Sequence, residues 1–374
     1  MKSTFGAKAK GARLERMQAS PRWVNGAFAN VHPMLPNLRG AVTMPTIADF
    51  LCGGGRRVPV APLPTVDPRA AWKVKPSSGL RTTWLGHSTL FVEIDGARIL
   101  TDPVWGLRAS PLTVAGPKRF QPVPVKLDDL PPVDIVLLSH DHYDHLDYKT
   151  IKALAKTTVP FVTSLGAGAH LESWGVQAGR ITELDWWESY TIPGRDVTIT
   201  ATPSQHFSGR TIGGRNSTLW SSYVLTSAKH KVFFGADTGL TTQYRELAKR
   251  LGPFDLVMLE IGAYHQAWGD IHLGPDHAIE AYGMLGSGRL LPIHWGTFNL
   301  AMHAWDAPVE TLFELAPKKG IDLLLPRMGE AVEPANSNGI EPWWRAVTAL
   351  EKTRVIEEPA EEPVGEEAIT WPLD

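Results

Sequence analysis

Residues 139–147 read S-H-D-H-Y-D-H-L-D and place His140, His142, Asp144 and His145 within six residues. They follow directly on Val133-Asp134-Ile135-Val136-Leu137-Leu138, an apolar run of strand length and composition. The cluster therefore sits where a buried strand gives way to a loop. From such a turn the alternating residues His140, His142 and Asp144 can converge on one ion. Neutral imidazole is a zinc ligand, and carboxylate is a hard anionic one. The plain alternative is a polar loop that happens to hold three histidines. That asks a chain with 13 histidines in 374 residues to concentrate them by accident.

Three later segments repeat the punctuation. Val197-Thr198-Ile199-Thr200-Ala201 runs into T-P-S-Q-H, ending at His206. Lys231-Val232-Phe233-Phe234 runs into G-A-D-T-G, which contains Asp237, and Leu290-Leu291-Pro292-Ile293 runs into H-W-G-T-F, which begins with His294. Any one of these alone is an ordinary capping or core polar residue. In series after H-x-H-x-D-H they read as further metal ligands.

Composition bounds the class. A chain of 374 residues is long enough for a large core in one domain or two. A hydrophobic fraction of 43% with 20% charged residues is that of a globular protein. The net charge of −2 provides no basic field, so nucleic acid is not an expected partner. The single cysteine, Cys52, excludes an internal disulfide and a cysteine-cluster metal site. The basic N-terminus, M-K-S-T-F-G-A-K-A-K-G-A-R, is not followed by an apolar signal segment. No run approaches the roughly 20 apolar residues of a spanning helix. A cytoplasmic location is expected. The basic arm reads either as a solvated tail or as a peripheral contact to an anionic membrane.

Taken in order, residues 1–75 are rich in Pro, Gly and Arg and read as an irregular N-terminal extension that packs over the domain. Strand signals begin near Leu80, at 82–85, 89–94 and 98–101, with turns at Gly86-His87 and Asp95-Gly96. His87 reads as a structural histidine in a tight turn. The third strand ends in T-D-P-V-W. Asp102 there is a candidate carboxylate behind a metal-bound histidine, and a turn aspartate before proline reads equally well. A proline-interrupted loop follows, in which Lys118 and Arg119 are either phosphate contacts or a solvated basic turn. Beyond the motif the pattern predicts a helix over 148–156, a strand at 160–163 and a helix to about Trp174. Strands are expected at 191–192, 197–201, 222–226, 231–235, 256–260 and 290–292, with a helix over 242–250. This alternation argues for a layered α/β domain. From Glu351 the chain reads as a solvated acidic tail.

The H-x-H-x-D-H motif resembles that of the metallo-β-lactamase superfamily. The segments W-L-G-H-S-T (84–89), L-T-D-P-V-W (100–105), S-P…G-P-K-R-F (110–120) and L-S-H-D-H-Y-D-H-L-D (138–147) narrow the resemblance to the N-acylphosphatidylethanolamine-hydrolysing phospholipase D family. So do T-P-S-Q-H (202–206), G-A-D-T-G (235–239), I-G-A-Y (261–264) and I-H-W-G-T-F (293–298). The resemblance implies a single αββα sandwich over 76–335, with the extension at 1–75 and a C-terminal segment at 336–374. It implies two zinc ions, one on His140, His142 and His206, the other on Asp144, His145 and His294, with Asp237 bridging. Asp144 and Asp237 would serve catalysis through the metals.

The implied reaction is hydrolysis of a phosphodiester in an amphiphilic phospholipid. Two ions about 3.5–4 Å apart suit in-line displacement at phosphorus. The family has a histidine in the segment that matches G-D-I-H-L-G-P-D-H. His272 is therefore expected to touch substrate phosphate or protonate the leaving oxygen without binding metal. Trp220, Tyr264, Trp268, Trp295, Phe298 and Trp305 fall near ligand segments and suit an amphiphile, although core packing accounts for part of the set. Lys118, Arg119, Arg210 and Arg215 are candidate phosphate partners. The runner-up is a lactonase or other acyl-ester hydrolase on the same metal core. A binding protein that retains the fold without turnover is a third class. A homodimer and peripheral membrane contact are both compatible with the sequence.

Overall fold

The computed structural model describes residues 4–33, 56–211, 213–265, 270–337 and 339–357. Cys52, Trp268 and the acidic tail beyond residue 357 lie outside the described residues.

In chain order the strands are β1 Trp23–Val24, β2 Ala27–Phe28, β3 Leu80–Gly86, β4 Thr89–Ile94, β5 Ala97–Thr101, β6 Ile135–Leu138, β7 Phe161–Ser164 and β8 Ile181–Leu184. They continue as β9 Ser189–Thr191, β10 Val197–Thr202, β11 Ser222–Ser227, β12 Lys231–Phe234, β13 Leu256–Glu260, β14 Arg289–Ile293 and β15 Ala331–Val332. The helices are α1 Ala12–Ala19, α2 Tyr148–Leu154, α3 Gly168–Ser173, α4 Gln243–Leu251, α5 Gly274–Leu285, α6 Ala307–Leu315 and α7 Arg345–Glu357.

Two sheets form the body of the molecule, one of seven strands ordered β15-β3-β4-β5-β6-β7-β8, the other of six ordered β14-β13-β12-β11-β10-β9. In the first, β5 to β8 run parallel and the rest antiparallel; in the second, β12 to β14 run parallel. Period-2 alternation sets what each face buries. Leu90, Val92 and Ile94 of β4 turn into the core shared with the second sheet, and Phe91 turns outward onto Trp72, Leu85 and Leu100. Ile135 and Leu137 of β6 face the shared core, while Val136 and Leu138 pack on Ile151 and Leu154 of α2 and Leu171 of α3. A strand buried on both faces reads as a continuous apolar run, which is why β6 was legible. Tyr244 of α4 packs edge-on to Phe233 of β12, and Ala278, Ala281, Val309 and Leu312 bring α5 and α6 onto the same core. The result is the layered αββα order expected from the sequence.

Tyr223 of β11 donates its hydroxyl hydrogen to the Leu138 carbonyl of β6 at 3.0 Å, tying the sheets where both end. That edge collects the C-terminal ends of β5, β6, β10, β12, β13 and β14, and it carries the functional residues.

The ends of the chain differ from expectation. The N-terminal segment, read as irregular, contains α1 and the β1–β2 hairpin, and Met17 and Phe28 are buried against Leu165 and Trp220. Glu351, read as the start of a solvated tail, is 3% exposed and accepts from Trp305 Nε1 at 2.9 Å and from Arg56. Trp343, Trp344 and Val347 join the main core, so this stretch is a packed helix start. The strands β8 and β15 and the helix α6 were not predicted. No described helix is long and apolar enough to cross a membrane.

Candidate metal centre

The loop after β6 is fixed before any ion is considered. Ser139 donates its N–H and hydroxyl hydrogen to the two oxygens of Asp102, at 2.7 and 2.6 Å. His145 N and Leu146 N both bond the His142 carbonyl, at 3.1 and 2.8 Å, folding the motif into one tight turn. Asp147 then caps α2 by accepting from Thr150 N at 3.1 Å. Asp102, Ala236 and His294 hold φ of 33°, 50° and 65°, a left-handed region that side chains avoid. Such strain gathers where a backbone must aim particular groups.

Four of the five ligand histidines, all but His142, are oriented by an outer nitrogen. Nδ1 of His140 meets the Ser139 hydroxyl at 2.9 Å, and Nδ1 of His145 meets Asp102 at 2.8 Å. Nδ1 of His206 meets the Ile271 carbonyl at 2.8 Å, and Nδ1 of His294 meets the Gly262 carbonyl at 3.4 Å. An acceptor at Nδ1 keeps that proton in place and leaves Nε2 free to take a metal. The Nε2 atoms point inward. His140 Nε2 and His206 Nε2 converge on His142 Nδ1 at 2.9 and 3.2 Å.

Asp237 sits between two sets of rings. Its Oδ1 lies 3.0 Å from His145 Nε2 and 3.1 Å from His294 Nε2. Its Oδ2 lies 3.9 Å from His140 Nε2 and 3.7 Å from His206 Nε2. Asp144 Oδ2 stands 3.5 Å from His145 Nε2 and 3.4 Å from His294 Nε2. His145 Nε2, His294 Nε2 and Asp237 Oδ1 are buried without a hydrogen-bond partner among the described residues. Buried polar atoms are rarely left so. Three of them facing one another fit a cation, and imidazole nitrogen with carboxylate oxygen is a donor set that zinc accepts.

The electrostatics agree. Burial holds His140 and His206 well below the ordinary imidazole range, in the neutral form that binds metal. Burial works against ionised Asp144 and Asp237, yet the imidazoles of His145 and His294 outweigh it and hold both carboxyls well below their usual range. Burial likewise opposes charge on His294, but Asp237 and Asp144 raise it to about 10. The carboxylates thus demand positive charge at the position a metal would take.

Three groups of residues bring ligand atoms within 4.8 Å of one another: His140, His142, His206 and Asp237; His87, Asp144, His145 and His294; and Asp237, Glu260, His272 and His294. The seven residues expected as ligands all fall in these groups. Asp102 stands behind His145. His87, read as structural, is buried with Nε2 2.9 Å from Asp144 Oδ2; burial lowers its pKa to about 3, so it braces that carboxylate as a neutral ring.

Two other residues escaped the sequence. Glu260, at the end of β13, is buried, accepts from Thr238 N at 2.7 Å and holds His272 Nδ1 at 2.6 Å. Asn30 braces His206 from the N-terminal segment, donating to its carbonyl at 2.8 Å and accepting its N–H at 3.1 Å. His272 lies at the centre with Nδ1 4.0 Å from Asp237 Oδ2.

The expected phosphate cations divide. Arg119 is buried, donating to the Val104 and Gly106 carbonyls at 2.6 and 3.0 Å. Arg210 is buried too, donating to the Asp141 and Leu146 carbonyls at 2.6 and 2.9 Å. Both are structural clamps. Lys118 and Arg215 are exposed, and Arg215 lies 4.4 Å over the Phe207 ring. Trp220, Trp295 and Trp305 are core residues, and Trp295 stacks on Trp84 at 5.2 Å.

Comparison with known proteins places this arrangement. Residues 97–295 match the family model described as a beta-lactamase superfamily domain. The chain is 43% identical over 349 residues to the uncharacterized protein Rv0906 of Mycobacterium tuberculosis, covering 92% of each. It is 38% identical over 233 residues to the N-acyl-phosphatidylethanolamine-hydrolyzing phospholipase D 1 of Caenorhabditis elegans, covering 60% of this chain and 65% of that protein. Among solved structures, the metallo hydrolase Igni18 from Ignicoccus hospitalis aligns with a TM-score of 0.53 at 20% identity, over 68% of this chain and 97% of that one, a likeness of fold alone. With its family model, its relatives and its histidine–carboxylate centre in agreement, the chain belongs to the metallo-β-lactamase superfamily and is a metal-dependent hydrolase.

Proposed function

We propose that the protein is a dinuclear zinc phosphodiesterase of phospholipase D type, acting on N-acylphosphatidylethanolamine-like phospholipids. The observation that carries the dinuclear reading is Asp237, whose two oxygens face two different pairs of histidines. His140, His142 and His206 would hold one ion, Asp144, His145 and His294 the other, and Asp237 would bridge them. When bound, the ions supply an acidified water and offset the charge that develops on phosphoryl oxygens. Asp102 and His87 keep His145 and Asp144 aimed. Glu260 fixes His272 with a proton on Nδ1, and His272 would serve the leaving oxygen of the amine-alcohol.

The choice of a lipid phosphodiester is supported by the likeness to the Caenorhabditis elegans enzyme named above. The surface beside the site agrees with it. Phe207, capped by Arg215, sits 4.5 Å from the His142 ring, combining an apolar face with a cation. The 107–118 loop packs through Ala109 with Phe298 and Tyr143, and the Phe298 ring stands edge-on to His87 at 5.2 Å. The loop exposes Leu107, Leu112 and Val114, at 74%, 48% and 83%, beside Lys118. Exposed apolar side chains flanked by a cation suit peripheral contact with a phospholipid surface.

One observation favours a second reading. Because Arg119 and Arg210 are bound to backbone carbonyls, fewer cations are available for a phosphate than the sequence implied. A lactone or other acyl ester needs none of them. Elemental analysis followed by mass spectrometry of products decides between the two. N-acylphosphatidylethanolamine should yield phosphatidic acid and an N-acylethanolamine, faster from micelles or vesicles than from dispersed lipid. Release of fatty acid, or ready lactone opening with inert phosphodiesters, would establish the acyl-hydrolase reading instead.

A further inference from the structure

The metal loop is held from outside its ligand set. Asp141 lies between His140 and His142, and its side chain is 1% exposed. Its Oδ1 accepts the Gly209 N–H at 2.8 Å, and its carbonyl accepts Arg210 Nη1 at 2.6 Å. The same nitrogen reaches the Leu146 carbonyl at 2.9 Å, so one guanidinium spans the turn that carries Asp144 and His145. Asp141 Oδ2 and His170 Nε2 are buried without a hydrogen-bond partner among the described residues and face each other at 3.4 Å.

Both holding groups lead back to the N-terminal segment. His170 Nδ1 accepts the Ala7 N–H at 3.0 Å, which places the ring proton on Nε2, toward Asp141. Arg210 Nη2 donates to the Thr4 carbonyl at 2.8 Å. Residues 4–7 are thus tied at one end to His170 and at the other to Arg210. Between the ties Gly6 has φ +79°, and a Cβ there would lie 2.0 Å from His170 Nδ1. Only glycine allows that approach.

We propose that residues 4–7, acting through His170 and Arg210, form a strap that positions the 141–146 turn and thereby sets the affinity of the metal centre. His170 and Arg210 are positioning residues in this scheme, since neither is in the ligand set. The proposal rests on the ligand assignment given above. It extends what Asn30 does for His206, so that the N-terminal segment braces two of the ligand-bearing loops.

The test is a zinc dissociation constant for full-length protein, read by competition with a chromophoric chelator. Gly6→Val detaches the strap from His170 and should weaken zinc by about tenfold or more. Gly11→Ala is the control: Gly11 also has a positive φ, +55°, but a Cβ there meets nothing within 4 Å, and zinc affinity should match wild type. His170→Ala should weaken zinc as Gly6→Val does. His170→Gln, whose amide N–H can still reach Asp141, should recover most of the loss. Wild-type affinity in Gly6→Val, equal loss in Gly11→Ala, or equal affinity in the two His170 variants would each overturn the strap. If Gly6→Val does not fold, the His170 pair decides alone. A wild type that binds no zinc removes the ligand assignment, and the strap's role with it.

Discussion

Asp102 Oδ2 accepts a hydrogen bond from His145 Nδ1 at 2.8 Å, while Nε2 of the same ring faces Asp237 Oδ1 at 3.0 Å. One buried carboxylate therefore sets which nitrogen of His145 is offered to a metal. Asp102→Asn keeps an acceptor for Ser139 N but puts an amide where the ring needs an anion. Zinc affinity should fall by about 10–100-fold, the range for a partner behind a ligand. Chelator competition reads the loss, and an unchanged circular dichroism spectrum shows that the fold persists. Affinity within twofold of wild type would mean that Asp102 serves only the Ser139 turn.

Asp237→Asn removes the charge shared by the two histidine sets and keeps the shape. Metal content should drop from about two ions per chain toward one, and turnover should fall by roughly a hundredfold or more. Elemental analysis on protein purified without chelator measures the first. Two ions retained in the variant would rule out the bridge.

Far from the site, Glu333 follows the edge strand β15 and accepts from Ser77 N at 3.0 Å, Ser78 N at 2.7 Å and the Ser77 hydroxyl at 2.9 Å. Burial opposes its ionisation, and these donors together outweigh it, lowering its pKa to about 2. A depressed carboxyl stabilises the fold above its unfolded pKa, and that contribution is lost as pH falls through the folded value. Glu333→Gln should therefore be less stable than wild type at neutral pH. The gap should close between pH about 4.5 and about 2. Urea unfolding across that window checks it, and a gap that does not change with pH would refute it.

How much of this was legible depended on distance along the chain. The ligands were readable because each directly follows an apolar strand, so one local signal marks both the strand end and the residue it presents. Glu260 also ends a strand, but L-V-M-L-E-I shows only a carboxylate in an apolar run; its meaning lies in His272, twelve residues on and across a loop. Arg119 and Arg210 were legible as cations, yet sequence does not say which carbonyls a guanidinium will meet. Asn30 and residues 4–7 act on loops far away along the chain, and weak periodicity concealed their packing. Glu351 looked like the first of many solvated acids, because its partners Arg56 and Trp305 lie 295 and 46 residues away.

The Glu260–His272 pair gives a prediction that separates proton delivery from metal holding. His272 Nδ1 is fixed on Glu260 Oε2 at 2.6 Å, which orients the ring beside Asp237. If His272 protonates the leaving oxygen, the need for it depends on the leaving group. The amine-alcohol of a phospholipid leaves poorly without a proton, whereas a p-nitrophenolate, with a conjugate acid of pKa about 7, leaves unaided. His272→Asn and Glu260→Gln should each lower kcat on the lipid by about a hundredfold or more, with KM and zinc content little changed. On bis(p-nitrophenyl) phosphate the same variants should lose far less. Equal losses on both substrates would rule out the acid role and leave His272 as a binding contact for phosphate. Loss of zinc from His272→Asn would instead make it a ligand, as its place in a group with Asp237, Glu260 and His294 allows.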